Sequence, residues 1–554
     1  MAFCILLVAI QPAAGSARDT ESSSFEKIET AYADGRIDRP DMLYEKAMAF
    51  FAPQDLASAY KSTTPGYLKS GTELVMQIHD SWDQFQPEQQ QALSAYMRRP
   101  LKQMIYDSPD GYFNVHYDTT GPEAVPPQDL NGNEVPDYVE RIGFYCDSAR
   151  SMYLNQMGFL PPPIDTTDGD AYDIYLLAIS GYGATFPEAP ADSPWNDYTS
   201  YIAIHCRMDF NLFENDDPEG DTIGAQKVTC AHEYFHAVQL AYKYDLAEYL
   251  WLMEASSTWM EEVVFPIVND NQNYLPDFFS MPYTKLTSTM GNHEYGAFIW
   301  PAFLYQRFGQ DIIRLVWEAA RYNNSLAAND SALASYGSTL SRAIPEFEIW
   351  NYFTGDRAAA GKYYAEAAAY PQAPVDQSFI SFVQDSVIPV HPPDALACNY
   401  VEFTVDTTAR GNAELILDGT DIARWAFSVI GFKPDADTIQ TVFSVVSEDL
   451  KIRLPFADDY DHMIAIPTVI SRSALGNSYH LQSRVLPYGD ANYDATVNVG
   501  DAVYLIDYVF KGGPDPIPVI ESGDANCSGS INVADAVTIV DYIFHDGPEP
   551  CAGR

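Results

Sequence analysis

Basic residues are scarce in this chain: 31 Lys and Arg stand against 77 Asp and Glu, a formal net charge of −46 over 554 residues. So acidic a surface excludes nucleic acid as a partner, because phosphate contacts need clustered positive charge, and it favours solubility and divalent-cation binding instead. Long apolar runs are also missing, except at the N-terminus, where residues 2–10 are all apolar and small residues follow through Gly15, Ser16 and Ala17. Residues 1–17 therefore read as a secretory signal peptide. No other stretch approaches the ~20 apolar residues of a membrane span. The expectation is an exported protein without a membrane span, secreted, extracellular or attached at the cell surface. Cysteine is sparse as well. Once Cys4 leaves with the signal, Cys146, Cys206, Cys230, Cys398, Cys527 and Cys551 remain, an even set that permits disulfides. Cys527 and Cys551 share one small C-terminal module and are the expected pair; free buried thiols stay open for the others.

Against these absences stands His232-Glu233-Tyr234-Phe235-His236. On a helix, positions i and i+4 are neighbours, so both imidazoles can reach one metal while Glu233 is placed to take a proton from the water that metal activates. Asp221 or Thr222 is expected to cap this helix, and Val228, Phe235, Val238 and Leu240 give it an apolar face. After a turn near residues 243–245, the stretch Trp251 to Glu262 reads as a second helix carrying Glu254 and Glu261 seven residues apart. One of these acids is expected as third ligand, because sites of two His and one Glu leave the fourth zinc position to water.

The segment around Glu254 resembles that of the gluzincin metallopeptidases, whose third ligand lies in a W-L-x-E-x-x-A-x-[WY]-x-E pattern. The resemblance implies that Glu254 is the ligand and that Glu261 orients a ligand His from outside the metal's own shell. Ser257 stands where the pattern has Ala. A longer stretch, from Phe113-Asn114-Val115-His116-Tyr117 through the motif to His293-Glu294-Tyr295-Gly296, is similar to a family of bacterial secreted metalloproteases over residues 30 to 370. Tyr295 is a candidate donor to the oxyanion formed at a scissile carbonyl, although a core tyrosine is the better expectation in a chain with 38 of them. His205 and His293 read as ordinary surface or core histidines.

The C-terminus repeats itself after 34 residues, from Asp490 to Asp524. Each copy offers oxygen ligands at loop positions 1, 3, 5, 7, 9 and 12, the pattern of an EF-hand calcium loop, and leads into an apolar helix. The ligands are Asp490, Asn492, Asp494, Thr496 (carbonyl), Asn498 and Asp501 in the first, and Asp524, Asn526, Ser528, Ser530 (carbonyl), Asn532 and Asp535 in the second. The pair resembles type I dockerin repeats, which implies a cohesin-like partner. The apolar pairs Val499-Gly500 and Val533-Ala534 at positions 10 and 11 weigh against an ordinary cohesin and leave open a purely structural calcium module. A third acidic loop, with Asp129, Asn131, Asn133, Val135, Asp137 and Glu140 at the same positions, is read as a calcium site; its Gly132 falls at position 4 where the usual turn has glycine at 6.

The expected architecture is multidomain α+β: signal peptide 1–17; a helical N-terminal segment 18–105, either propeptide or helical cap; a zincin-like domain 106–370 with strands such as Tyr172 to Leu177; a β-sandwich 371–486; and a small all-α dockerin-like domain 487–554. The reading is a zinc- and calcium-dependent peptidase acting on protein or peptide substrates with Glu233 as general base. The alternatives are a non-catalytic cell-surface binding protein on a zincin scaffold and a zinc hydrolase of a non-peptide substrate.

Overall fold

The computed structural model describes residues 22–552 apart from 65, 165–168, 211–212, 406–409, 434–440, 446–449 and 518, with the backbone alone of 441–445. The signal segment read at residues 1–17 lies outside the described residues. The chain is a mixed α+β, multidomain protein whose described residues form two compact units, one of 22–246 with 264–270 and one of 247–263 with 271–552. Among the described residues no helix is long and apolar enough to cross a membrane.

The first unit is built on a six-stranded sheet of β1 (Leu68–Ser70), β2 (Met104–Asp107), β3 (Phe113–Tyr117), β4 (Tyr172–Leu177), β5 (Gly181–Pro190) and β6 (Tyr198–His205), in the order β1-β5-β6-β4-β3-β2. β3, β4 and β6 are parallel, β5 runs antiparallel to β6, and β1 lies parallel on the outer edge of β5. Alternation along the strands separates two buried faces. Tyr175, Ala184, Phe186, Tyr201 and Ala203 face a core built with the N-terminal helices α1 (Ser24–Ala33), α2 (Arg39–Phe51), α3 (Thr72–Asp80) and α4 (Pro87–Leu93), which contribute Ile28, Leu43, Phe50, Val75, Ile78 and Leu93. Thr185, between Ala184 and Phe186, points the other way and meets α6 (Asp221–Leu240), which packs beside α5 (Asp137–Arg150). The N-terminal segment is thus helical as read, and it also adds an edge strand to the sheet.

The start of α6 differs from the sequence expectation. Its cap residue is Gly220, with φ of 104°, and no side chain caps it. Asp221 and Thr222 are instead its first helical residues; Asp221 Oδ1 is taken by the backbone N–H of Asn215 at 3.2 Å, and its carbonyl accepts the Asn215 amide. Every residue from Val228 to Leu240 is buried, so the helix is enclosed on all sides, and Thr229, His232, Glu233, His236 and Gln239 are polar side chains held inside the fold.

α7 (Leu246–Val264) begins after the turn at 241–245. The second unit continues with α8 (Leu275–Phe279), α9 (His293–Gly296), α10 (Ile299–Phe308), α11 (Ile312–Ala320), α12 (Ser325–Ala334) and α13 (Leu340–Tyr352). The expected β-sandwich follows. Its five-stranded sheet holds β7 (Gln377–Phe379), β9 (Val401–Thr404), β11 (Trp425–Phe432), β12 (Thr441–Val445) and β14 (His462–Val469). Its four-stranded sheet holds β8 (Gln384–Val387), β10 (Asn412–Gly419), β13 (Lys451–Leu454) and β15 (Tyr479–Leu486). Inward residues of both, among them Phe403, Leu415, Phe427, Val429, Ile452 and Leu481, form one core. The tail pairs α14 (Val499–Lys511) with α15 (Val533–Phe544) over a small core whose buried members among the described residues are Ala491, Ala502, Leu505, Ala525, Ala536 and Ile539, with Val497, Tyr504, Ile531, Val540 and Ile543 partly buried against it. A disulfide joins Cys527 to Cys551, while Cys146, Cys206, Cys230 and Cys398 are free and buried.

Candidate metal centre and loops

His232 and His236 lie on one face of α6 with their Nε2 atoms 3.1 Å apart. Two nitrogens each about 2.0–2.1 Å from one tetrahedral metal would be about 3.3–3.4 Å apart, so the pair is spaced to share an ion. The Nδ1 of His236 donates to Gln239 Oε1 at 2.9 Å, which fixes Nε2 as the atom carrying the lone pair. Sequence reading missed Gln239, although its position one helical turn beyond His236 is a signal that could have found it. Glu254, buried on α7, joins the two histidines in a group whose ligand atoms all lie within 4.8 Å of one another. Glu261 is buried but is not part of that group. Two imidazoles and one carboxylate are a donor set that suits zinc.

Glu233 lies between α6 and β5. Gly183 permits that approach, since a Cβ there would stand 2.8 Å from Glu233 Cγ. One carboxylate oxygen, Oε2, accepts the hydroxyls of Thr72 at 2.8 Å and Thr185 at 2.9 Å. The other, Oε1, is buried with no hydrogen-bond partner among the described residues. An ionisable group with one oxygen anchored and one unsatisfied is arranged to accept something the fold does not itself supply.

The remaining candidates divide. Tyr295 is buried on α9 with its ring 5.2 Å from that of Tyr274. His205 is a core residue whose Nδ1 accepts the backbone N–H groups of Arg207 and Met208, and burial pushes it down to about 4. His293 is likewise buried, lies with its ring 4.8 Å from that of Phe278 at a tilt of 38°, and is pushed down by burial to about 4. Both are neutral at pH 7.

In the tail, Asp490, Asp494 and Asp501 bring carboxylate oxygens within 4.8 Å of one another. Burial raises the Asp490 and Asp501 carboxyls, and Asp535 in the second loop likewise. A cation would offset that cost. The three acidic loops share one backbone pattern. The position-1 carboxylate accepts the N–H of position 6: Ala495 onto Asp490 at 3.0 Å, Gly529 onto Asp524 at 2.7 Å, and Glu134 onto Asp129 at 2.9 Å. The position-3 side chain accepts the N–H of position 5, in Asp494, Ser528 and Asn133. Positions 4 and 6 are left-handed in all three, including Gly132 at 73° and Glu134 at 69°. The sequence reading that Gly132 takes the Asp129 loop away from the usual turn is therefore corrected: position 4 is itself left-handed in this turn, so glycine suits it.

No protein-family model matches the chain, and no curated protein matches it. Among solved structures, the pre-peptidase C-terminal domain of a collagenase from Bacillus anthracis matches at 7% identity with a TM-score of 0.17, covering 21% of this chain and 100% of that domain. That likeness is too low to bear on fold or function.

Proposed function

We propose that this protein is a secreted zinc-dependent peptidase of gluzincin type. The observation that carries the reading is the paired imidazoles of α6, 3.1 Å apart, beside a carboxylate whose Oε1 has no partner among the described residues. His232, His236 and Glu254 would hold the metal. Zinc bound there supplies Lewis-acid polarisation of a peptide carbonyl and a water made acidic near neutral pH. Glu233 Oε1 takes the proton of the attacking water and returns it to the leaving amine, while Thr72 and Thr185 keep Oε2 in place. The disulfide between Cys527 and Cys551 supports an oxidising, extracellular location. The dockerin-like tail and the Asp129 loop are proposed to take three calcium ions in all, and the tail to be a structural module or a site for a cohesin-like partner.

A second reading is a metal-stabilised binding protein without catalysis, favoured by the depth of the site: His232 is 1% exposed, Glu233 and His236 0%. Metal analysis joined to a peptide-library digest separates the two. The expected result is about one zinc per chain and cleavage by the wild type, with Glu233→Gln retaining zinc and losing hydrolysis. A zinc-loaded wild type that cleaves nothing, or a Glu233→Gln variant with undiminished turnover, overturns the peptidase reading. A protein that cleaves only esters or glycans would shift it to a zinc hydrolase of non-peptide substrates.

A further inference from the structure

The hydroxyl of Thr72 has its hydrogen-bonding capacity fully assigned. A hydroxyl has one proton to give and two lone pairs to offer. The backbone N–H of Thr185 donates to Thr72 Oγ1 at 2.8 Å, and Ser70 Oγ donates to it at 2.9 Å. Ser70 Oγ in turn accepts the Thr72 N–H at 3.1 Å. With both lone pairs used, the single Thr72 proton is committed to Glu233 Oε2, 2.8 Å away. Thr185 is different. Its Oγ1 lies 2.9 Å from Glu233 Oε2 and 2.9 Å from the Glu233 carbonyl, so one proton serves two acceptors. All three hydroxyl residues are buried, Thr72 at 1%, Ser70 at 4% and Thr185 at 0% exposure.

Thr72 is held from a distance of 161 residues in sequence by contacts independent of the carboxylate. The Leu68 N–H bonds to Ser180 O at 3.0 Å and the Gly71 N–H to Gly183 O at 2.8 Å, which seats β1 on the edge of β5. The Lys69 ammonium is paired with the Asp270 carboxylate, both side chains being almost completely buried. A charged pair at such depth adds directional constraint more surely than net stability, and here it fixes the segment that presents Thr72.

We propose that Thr72 is a positioning residue for Glu233, fixing Oε2 so that Oε1 is the oxygen that handles the proton, and that the N-terminal segment is accordingly part of the working enzyme and not a discarded propeptide. The inference rests on Glu233 being the general base. It favours the cap over the propeptide for the part of the segment that carries Thr72, because a chain cut after Thr72 would lose the one donor, among the described residues, committed wholly to that carboxylate.

The test uses the full zinc-loaded chain carrying Thr72→Val, Thr72→Ser or Thr185→Val. Valine preserves the shape of threonine and removes the hydroxyl. Loss of a hydrogen bond to a charged group predicts a fall in kcat of about tenfold or more for Thr72→Val, with KM and zinc content unchanged. Serine should restore kcat to within about threefold of wild type, and Thr185→Val should cost less than Thr72→Val. A purely packing role would not be rescued by serine. A Thr72→Val enzyme with kcat within about twofold of wild type overturns the proposal, as does an active form whose intact mass shows that it begins after Thr72.

A double-mutant cycle on thermal midpoints gives a readout independent of hydrolysis. The midpoint shift caused by Thr72→Val should be clearly smaller in a Glu233→Leu background, the remainder reflecting the acceptor lost to the Thr185 N–H and Ser70 Oγ, whereas fully additive shifts overturn the pairing. If the cycle is non-additive and the wild type cleaves no peptide, the pairing stands and the peptidase reading fails.

Discussion

The metal-binding candidates of α6 and of the tail are organised in opposite ways. His232, Glu233 and His236 sit on a helix buried without interruption from Val228 to Leu240, so the surrounding fold holds them whether or not an ion is present. The tail loops hold themselves. Asp490 and Asp501 are oriented by the backbone N–H groups of their own loop, Asp494 is exposed, and the helices beneath share a core of six buried residues. A metal bound in the first case would fill a rigid frame, and in the second it would complete a module too small to close on hydrophobic burial alone.

The largest expected effect tests this contrast. His236→Ala should weaken zinc binding by a factor on the order of a thousand or more while amide hydrogen exchange along α6 stays slow. Calcium chelation of the same full chain should leave α6 unchanged and bring α14 and α15 to exchange rates near those of an unfolded segment. Fast exchange in α6 after zinc loss would show that the frame depends on its ion, and persistent protection of α14 in chelator would show that the tail does not.

How much of this was legible beforehand follows the range of the interaction. The motif on α6, the helix carrying Glu254, the alternating strands of the sandwich and the 34-residue repeat all express local periodicity, which sequence displays directly. The Cys527 to Cys551 bridge was legible because both residues fall in one short module. Thr72 and Lys69 left no such trace. A threonine opening a short helix and a lysine in a three-residue strand have no pattern that names Glu233 or Asp270 as partners; only the pairing of β1 with β5 brings them there. The turn of the Asp129 loop was only partly legible for a related reason. Glycine at position 4 looked like a displaced turn, since sequence shows where glycine stands and not where the chain turns left-handed.

The next effect in size belongs to the disulfide. Closing the loop between Cys527 and Cys551, 24 residues apart, should stabilise the tail by about 3 kcal/mol through restriction of its unfolded chain. Reduction should therefore raise the calcium concentration needed to fold α14 and α15, with no change in α6. An unchanged calcium titration after reduction would mean that the loops and not the bridge set the stability of the tail.

A smaller effect ties the tail to the sandwich. The buried Glu414 of β10 accepts from Arg453 Nε at 2.8 Å, Arg484 Nε at 2.6 Å and the hydroxyl of Tyr493 in the Asp490 loop. Burial works to raise its carboxyl, but hydrogen bonds from Tyr493, Arg453 and Arg484 hold it below its ordinary value of 4.5. A carboxyl depressed on folding adds stability that is complete above its unfolded pKa and is lost as pH falls through the folded one. The junction should thus be pH-insensitive above about 5 and weaken progressively below 4.5. Because both arginines are partly exposed, Glu414→Gln should cost about 1–2 kcal/mol at pH 7 and flatten the acid limb of a melting profile recorded from pH 7 to pH 3. An acid limb identical in the variant would assign the loss to other carboxyls.

The smallest effect distinguishes the two tail loops from each other. Charge favours the first, with Asp490, Asp494 and Asp501 against Asp524 and Asp535 in the second, so calcium should enter the Asp490 loop first. Backbone geometry favours the second. Position 6 is left-handed in both, at 67° in Ala495 and 82° in Gly529, and an L-residue pays about 1–2 kcal/mol there that glycine does not. The Ala495 side chain is exposed, so its removal forfeits no packing. Ala495→Gly should therefore stabilise the tail by about 0.5–1 kcal/mol after allowance for the greater freedom of glycine when unfolded, and widen the lead of the Asp490 loop in a calorimetric calcium titration of the full chain. If the Asp524 loop fills first in the wild type and the order reverses in Ala495→Gly, strain outweighs charge in this module; if it fills first in both, the neutral Ser528 matters less than its sequence position suggests.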